Sequence, residues 1–515
     1  MRRILFLFFI SYILFTPFLL AWQVDTGKEE RASQIEKTLF IASANQDKVL
    51  KIGLVDCILY ALKNNTDILI KHIEPKLRED DVKKAKADFE PTLDVDYSLA
   101  DKSVLSYSTL EGSAVSKSRD INANAGISGK IVTGAEYNVD FLTERYSSNS
   151  SFQEINPYYS AEPKITITQP LFRGAGIIVN KADIIIAQNN KLESEKNFTF
   201  TVMDIITKAM SAYYTYVFAL ENYNIDKLSL ERAADLLEIN KIRYNKGIIS
   251  SVDLLETEAA VAQREKNLLA TESAIKRAED GLKFVTNLID DPEVWNAKIE
   301  LLDKPQFKKE DVDLFESLKG AFEYRPDYQA EVIDLKNRDI KIRVAKNALF
   351  PTLDLTGSFG LNGLSEDYKN AVQKIDSDYK DWGVGVKFSL PWGGSERADY
   401  SQKKLEKAQA LISLKKLEQN IILEVRDKVR ETKIQHRQVE VSEISHDKEA
   451  QNYKAQQERY ASGHVSTHDM LDYQDKLSQT EIDYARALID YNIALIDLDK
   501  AVGLTLVKNG IKLEE

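Results

Sequence analysis

The chain has 515 residues, of which 29% are charged and only 11 are proline and 21 glycine. That composition excludes a loop-rich protein and favours long helices, and the length ordinarily means two or more domains. A formal net charge of −12 excludes nucleic acid as the main partner. The single cysteine, Cys57, excludes internal disulfides and is not placed where a lipid anchor would need it.

Arg2 and Arg3 precede ILFLFFISYILFTPFLLA, a run without charge. Residues 1–21 read as a removed export signal cleaved near Ala21. Kept in place, the run is also just long enough to span a bilayer. Residues 22–50 follow as an N-terminal arm. No later run is apolar enough for a transmembrane helix, so the spanning solution left to this chain is a closed β-barrel, in which every backbone group is paired.

Residues 51–290 and 321–502 read as two copies of one plan, joined by a connector over 291–320 and followed by a tail over 503–515. Each copy opens with a charged helix of about twenty residues that runs into a strand at a proline. Pro91 in FEPTLDVDYSLA aligns with Pro351 in LFPTLDLTGSFG at an offset of 260, and Ala61, Asp67 and Ala85 fall on Ala321, Asp327 and Ala345. The strands are two-faced. Leu93, Val95, Tyr97 and Leu99 oppose Thr92, Asp94, Asp96 and Ser98. Leu353, Leu355 and Phe359 oppose Thr352, Asp354 and Ser358. INANAGISGKI and AEYNVDFLT, joined at VTG, read as an additional hairpin over Ile121–Thr143, either within a barrel or outside it.

ITITQPLFRGAG, ending at Gly176, resembles VKFSLPWGGSER, ending at Arg397. Each is an alternating strand that closes on a proline, Pro170 or Pro391, with glycines opening a helix. Val384, Val386, Phe388 and Leu390 here oppose Lys387 and Ser389. This alternation suits a barrel with lipid outside and water inside, and equally a half-buried soluble sheet. Tyr97, Phe359, Trp382 and Trp392 suit interfacial girdles. Four such strands cannot close a pore alone, so several protomers must share one barrel.

The segment from Ile178 to Tyr244 predicts a continuous helix about 100 Å long, which suits a rod or tube. It ends in RYNKGIISSVDLLE, which recurs 216 residues later as RYASGHVSTHDMLD. Gly247 and Gly463 stop one helix, and Ser250 or Ser251 and Ser466 or Thr467 cap the next. The returning helices carry a heptad: Leu254, Val261, Leu268, Ile275, Leu282 and Ile289, then Met470, Leu477, Tyr484, Tyr491 and Leu498. A second seam runs through Leu488, Leu495 and Val502. Two helices packed along their length are expected, as a coiled coil or an ordinary helical hairpin.

PTLDLTGSFG, SLPWGG, QPLFRGAG, RYNKGIISSVDLLETEA and QERYASGHVSTHDMLDYQDKL, in this order and duplicated, resemble the TolC-like outer membrane channel proteins of tripartite efflux pumps and type I secretion systems. The resemblance covers about 51–504. It implies a homotrimer with a β-barrel in outer membrane lipid, continued by an α-helical tunnel through the periplasm. It implies a passive exit duct served by a periplasmic adaptor and an inner-membrane transporter, without a cofactor. Pro91, Pro170, Pro351 and Pro391 would mark the seam between tunnel and barrel. Residues near 291–320 and both chain ends would form a belt around the tunnel.

The resemblance places a periplasmic gate at the two helical tips, with Asp469 and Asp472 in a carboxylate ring that favours cations. A first-turn acid suited to the helix dipole is the plainer account of Asp469. In the family's latch an arginine two residues after the tip glycine reaches an acid matched by Asp253, beside a tyrosine matched by Tyr460. Val465 stands in place of that arginine, leaving Arg243, Arg459 or packing to hold the tip. His464 and His468 point to a pH- or metal-sensitive entrance, or are two exposed loop histidines. Gly247, Ile248, Ile249, Gly463 and Val465 form the expected adaptor-contact surface, because apolar residues at an exposed turn call for a cover.

Nothing points to an enzyme. The chain has no glycine-rich phosphate loop followed by Lys-Ser or Lys-Thr, and no His-Glu-x-x-His. His72, His436 and His446 are scattered on charged helices. The competing non-enzymatic reading is an exported coiled-coil scaffold or surface antigen without a pore.

Overall fold

The computed structural model describes residues 49–106, 113–290, 294–390 and 392–513. The expected export signal, all but the last two residues of the N-terminal arm, and Pro391 lie outside the described residues. Among the described residues no helix is long and apolar enough to cross a membrane.

The first copy contains β1 (Val49–Ile52), α1 (Leu54–Asn64), α2 (Thr66–Ala87), β2 (Thr92–Leu105), β3 (Val115–Lys130), β4 (Glu136–Ser148), β5 (Tyr158–Pro170), α3 (Ile177–Asn180), α4 (Ala182–Asn245) and α5 (Ser251–Val285). A short strand β6 (Lys298–Leu301) lies in the connector. The second copy contains α6 (Leu314–Tyr324), α7 (Pro326–Ala348), β7 (Thr352–Leu361), β8 (Gly363–Ser365), α8 (Tyr368–Gln373), β9 (Lys380–Ser389), α9 (Ser395–Ala461) and α10 (Thr467–Val502). A last turn, α11 (Thr505–Lys508), follows.

The offset of 260 holds down to single hydrogen bonds. Asn65 N–H donates to Ala61 O at 3.0 Å, and Arg325 N–H to Ala321 O at 3.1 Å. Glu90 N–H donates to Ala87 O at 3.0 Å, and Phe350 N–H to Asn347 O at 3.1 Å. Both helices therefore tighten in their last turn and stop, because the residue before a proline is pushed out of the helical region and proline has no N–H to continue with. Their starts differ. The Asn65 side chain caps α2 by accepting from Asp67 N and Ile68 N, whereas α7 begins on the pre-set φ of Pro326.

α4 has 64 residues and α9 has 67, so both run for about 100 Å. The expected unbroken helix from Ile178 is interrupted at Lys181. Just before it, Asn180 Nδ2 donates to Gly174 O and Gly176 O, at 2.7 and 2.9 Å, and ties this turn to the preceding glycine turn. Ile289, the last residue of the expected first heptad, falls beyond α5. Thr286 ends that helix by bonding Leu282 O, and Asn287 then takes φ 51°.

α5 returns along α4 and α10 along α9, and α4 also packs against α10. The largest core joins Val202, Ile206, Ala209, Tyr213 and Tyr216 of α4 to Leu282, Ile489 and Ile496. Burying an aliphatic side chain such as Ile206 or Leu282 stabilises by about 1.5–3 kcal/mol. Cys57 sits in this core, and burial pushes its thiol up to about 12. β1 pairs in parallel with β6, and Ile52 and Ile299 of these strands belong to the same core. Tyr216 Oη donates to Ile299 O at 2.9 Å, which fastens this short sheet to the long helix, and Ile511 and Leu513 of the tail pack against the same core.

The large sheet has the order β2-β3-β4-β5-β7-β9, every step antiparallel, with β8 added beside β5. The six long strands are the four expected ones and the two of the additional hairpin. The hairpin expected over Ile121–Thr143 is longer, spans β3 and β4, and lies inside the sheet between β2 and β5. The expected strand from Thr92 also continues to Leu105, where Arg119 and Asp101 pair across β3 and β2 at 2.6 Å.

Candidate functional site

The two helical tips share one backbone design. Ile248 N–H donates to Arg243 O, and His464 N–H to Arg459 O, both at 2.9 Å. Gly247 and Gly463 hold φ of 72° and 77°, a left-handed conformation that costs glycine least. Ser250 and Ser466, rather than Ser251 and Thr467, cap the returning helices by accepting from Asp253 N and Asp469 N. Asp253 Oδ2 in turn accepts from Ser250 N at 2.9 Å and Ser250 Oγ at 2.7 Å. Asp469 Oδ2 accepts from Ser466 Oγ at 2.7 Å. These bonds hold both carboxyls below the ordinary aspartate range. Both acids are thus committed to their own caps, which is the plainer account of Asp469. Asp472 pairs with Lys476 one turn later, at 2.6 Å.

Ile248 is 65% exposed at the first tip, and Gly247 and Gly463 are also exposed. Ile249 and Val465 are half-buried, and Val465 packs against the cluster of Leu236, Tyr460, Met470 and Leu471. Of the expected adaptor-contact residues, then, these two are the least available.

The tie between the two hairpins is made by Arg243. Its Nη2 donates to Tyr460 O at 2.9 Å, and its guanidinium lies 4.3 Å from the Tyr460 ring centroid. Tyr460 is buried; its hydroxyl donates to Asn240 Oδ1 and lies 3.2 Å from Thr467 Oγ1. Asn240 Nδ2 donates to Thr257 Oγ1 at 2.8 Å. One polar chain therefore links α4, α5, α9 and α10. Arg459, the other candidate, bonds only within its own helix, to Gln456. His468 adds a second tie: its Nδ1 lies 2.6 Å from Glu256 Oε1 on α5, and this bond raises the imidazole above its ordinary value. Among the described residues no group of three or more His, Cys, Asp or Glu side chains could hold a metal ion.

Further up, a buried and a half-buried arginine join the hairpins. Arg264 donates to Gln474 Oε1 at 2.6 Å and Asp475 Oδ1 at 2.8 Å. Arg232 forks onto Glu481 and reaches Ser478. The sequence reading missed these ties because it tracked only apolar heptad positions. The signal was present: Thr257, Arg264 and Thr271 are seven apart and buried, while Leu254, Val261 and Leu268 are half-buried.

At the other end, Pro170 and Pro351 meet at one level. Pro170 pairs with Asp354 in the sheet, Leu171 N–H donates to Leu353 O at 2.8 Å, and Arg173 N–H to Pro351 O at 3.2 Å. Pro91 stands directly before β2. The β3–β4 turn returns to this same level: Gly176 N–H donates to Thr133 O at 3.2 Å. Gly134 there has φ 95°, and a side chain on it would collide with the Gly174 carbonyl.

Beyond this seam the pairing register separates the two faces of the sheet. Leu93, Ile127, Val139, Ile165, Phe359 and Trp382 form one row across all six long strands. The neighbouring row on the opposite face is Thr92, Ser128, Asn138, Thr166, Ser358 and Gly383. The next polar row carries Asp94, Asp140, Lys164 and Asp381, with Lys164 Nζ 3.9 Å from Asp381. That first row is thus apolar from edge to edge, with Asp101, Arg119, Arg145 and Lys380 farther along the strands on the same face, and the polar rows of the other face could line water.

Solved structures share this architecture. The chain aligns with the CmeC outer membrane channel of Campylobacter jejuni at a TM-score of 0.64 and 18% identity, covering 90% of this chain and 87% of that one. With the outer membrane protein VceC of Vibrio cholerae the TM-score is 0.63 at 15% identity, over 87% and 96%. Among sequences, Nodulation protein T of Rhizobium leguminosarum bv. trifolii is 23% identical over 59% of this chain and 62% of its own length. Outer membrane protein OprJ of Pseudomonas aeruginosa is 24% identical over 61% and 64%. The chain therefore spans less than two thirds of these two relatives. The outer membrane efflux protein profile matches residues 58–288 and 318–504, one stretch in each copy of the repeat. The chain belongs to the outer membrane efflux protein family.

Proposed function

We propose that this protein is the outer membrane exit duct of an efflux pump or type I secretion system. It passively conducts cargo delivered by a periplasmic adaptor and an inner-membrane transporter. The observation that carries this reading is the sheet: an apolar row runs across six strands on one face and polar rows run across the other, set directly on helices about 100 Å long. Outer membrane spanning needs such a two-faced wall, closed so that no edge faces lipid. A coiled-coil scaffold without a pore has no use for it. The family and the open sheet of the single chain support a homotrimer.

In this reading the helical tips form the periplasmic entrance. Asp469 and Asp472 of three copies, with Asp253 nearby, form an acidic rim. Tyr460, held by Arg243, fastens the two hairpins in the closed state. Gly247, Ile248 and Gly463, with Ile249 and Val465 beneath them, receive the adaptor. The chain carries out no chemistry of its own. Outer membrane fractionation, a heat-sensitive trimer on gels and conductance in liposomes test the reading. Purified trimers that never raise liposome conductance, even with the tips unfastened, would refute it.

A further inference from the structure

We infer that the β3–β4 hairpin is a length of barrel wall, and that β9 of one copy pairs with β2 of the next to close an 18-stranded barrel. This rests on the homotrimeric duct proposed above.

Three observations carry it. First, the hairpin spans the full height of the sheet. Its turn contacts the seam through Thr133 O and Gly176 N, and its strands of 16 and 13 residues exceed the 9–11 or so needed to cross a bilayer. Second, the hairpin keeps the separation of faces. Ile127 and Val139 continue the apolar row between Leu93 and Ile165, while Ser128 and Asn138 continue the polar row between Thr92 and Thr166. A hairpin folded away from the wall has no reason to match its neighbours in register and polarity on both sides. Third, the edges are complementary. Among the described residues β2 is bonded only to β3, and β9 only to β7. Five antiparallel steps separate them, so they run in opposite directions, and β9 can join the β2 of a neighbour in antiparallel fashion. Both edges present apolar side chains on the same face: Leu93, Val95 and Tyr97 on β2, and Trp382, Val384 and Val386 on β9, all exposed in the single chain. In lipid, unpaired backbone on either edge is untenable.

The consequence is a wide exit. At a strand spacing of about 4.8 Å and a tilt of about 40°, eighteen strands enclose a backbone diameter of about 36 Å; twelve, with the hairpin outside, would enclose about 24 Å. Barrels of 16–18 strands leave an aqueous channel. The exit then imposes little size selection on the cargo.

Electron cryo-microscopy of the full-length trimer in nanodiscs counts the strands, and eighteen are expected. In parallel, Val384→Cys is combined in turn with Leu93→Cys, Val95→Cys, Tyr97→Cys and Leu99→Cys. Mild oxidation should link neighbouring copies in at least one combination. A variant lacking 106–157, which joins β2 directly to β5, should form trimers whose outer mouth excludes smaller polyethylene glycols than the wild type does. A conducting trimer with twelve strands, or with β2 cross-linking to Ile165→Cys of β5 instead of to β9, overturns this inference and leaves the duct intact. Protein that forms no pore at all overturns the duct reading first, and this inference with it.

Discussion

Replacing Arg243 with alanine and Tyr460 with phenylalanine should unfasten the periplasmic tips. Arg243 contributes a charge-assisted hydrogen bond to Tyr460 O and a cation–π contact with the same ring. It is half-buried, so the bond is worth about 1.5 kcal/mol and the ring contact about 0.5–1 kcal/mol. The Tyr460 hydroxyl is buried and bonds Asn240; removing it strands that acceptor at about 1–2 kcal/mol. The two substitutions touch one network, so their effects add incompletely. A combined loss of about 3 kcal/mol, felt only when the hairpins are together, shifts the closed-to-open equilibrium by about 150-fold. The assay is single-channel recording in planar bilayers, alongside leakage of a bulky antibiotic into cells making the variant. Each single variant should raise open probability and the pair should raise it further, with trimer yield unchanged. If the double variant forms normal trimers with wild-type conductance and leakage, Arg243 and Tyr460 do not hold the closed state.

Ile248→Asp or Gly463→Arg should abolish export while trimers remain in the outer membrane, since both alter exposed tip positions and no core; normal export by both variants would remove this surface from adaptor contact. His468 is raised above its ordinary value of 6.5, first by its bond to Glu256 and then by the charges of Glu256, Asp469 and Asp472. The tie to Glu256 is therefore complete below 6.5 and lost as pH climbs through the raised value. Wild-type conductance should rise as pH climbs above 6.5 through that raised value, and the His464→Ala/His468→Ala protein should lose that dependence; identical profiles would dismiss the histidines. Ser358→Cys should react with membrane-impermeant thiol reagents entering the pore and Leu355→Cys should not, and the reverse would invert the sheet in the membrane. The native thiol will not interfere, because Cys57 is fully buried with a pKa of about 12.

What the sequence by itself determined was local or periodic. The stops at Pro91 and Pro351, the tip turns at Gly247 and Gly463 and the alternation along each strand were legible because each depends on residues within one or two turns of one another, and the duplication was legible because these local signals recur at a fixed offset. A missing N–H, a positive φ or a period of two needs no partner from elsewhere in the chain. The tertiary structure alone decided who meets whom. It put the β3–β4 hairpin inside the sheet, chose Arg243 over Arg459 as the clasp on Tyr460, turned Asp253 and Asp469 back onto their own caps, and drew Arg264 to Gln474 and Asp475. Arg243 and Tyr460 are separated by 217 residues and Arg264 and Gln474 by 210. No periodicity carries information across such gaps. Those contacts exist because two long hairpins pack in one particular register, and that register is set by the summed burial of side chains along about 50 Å of each returning helix.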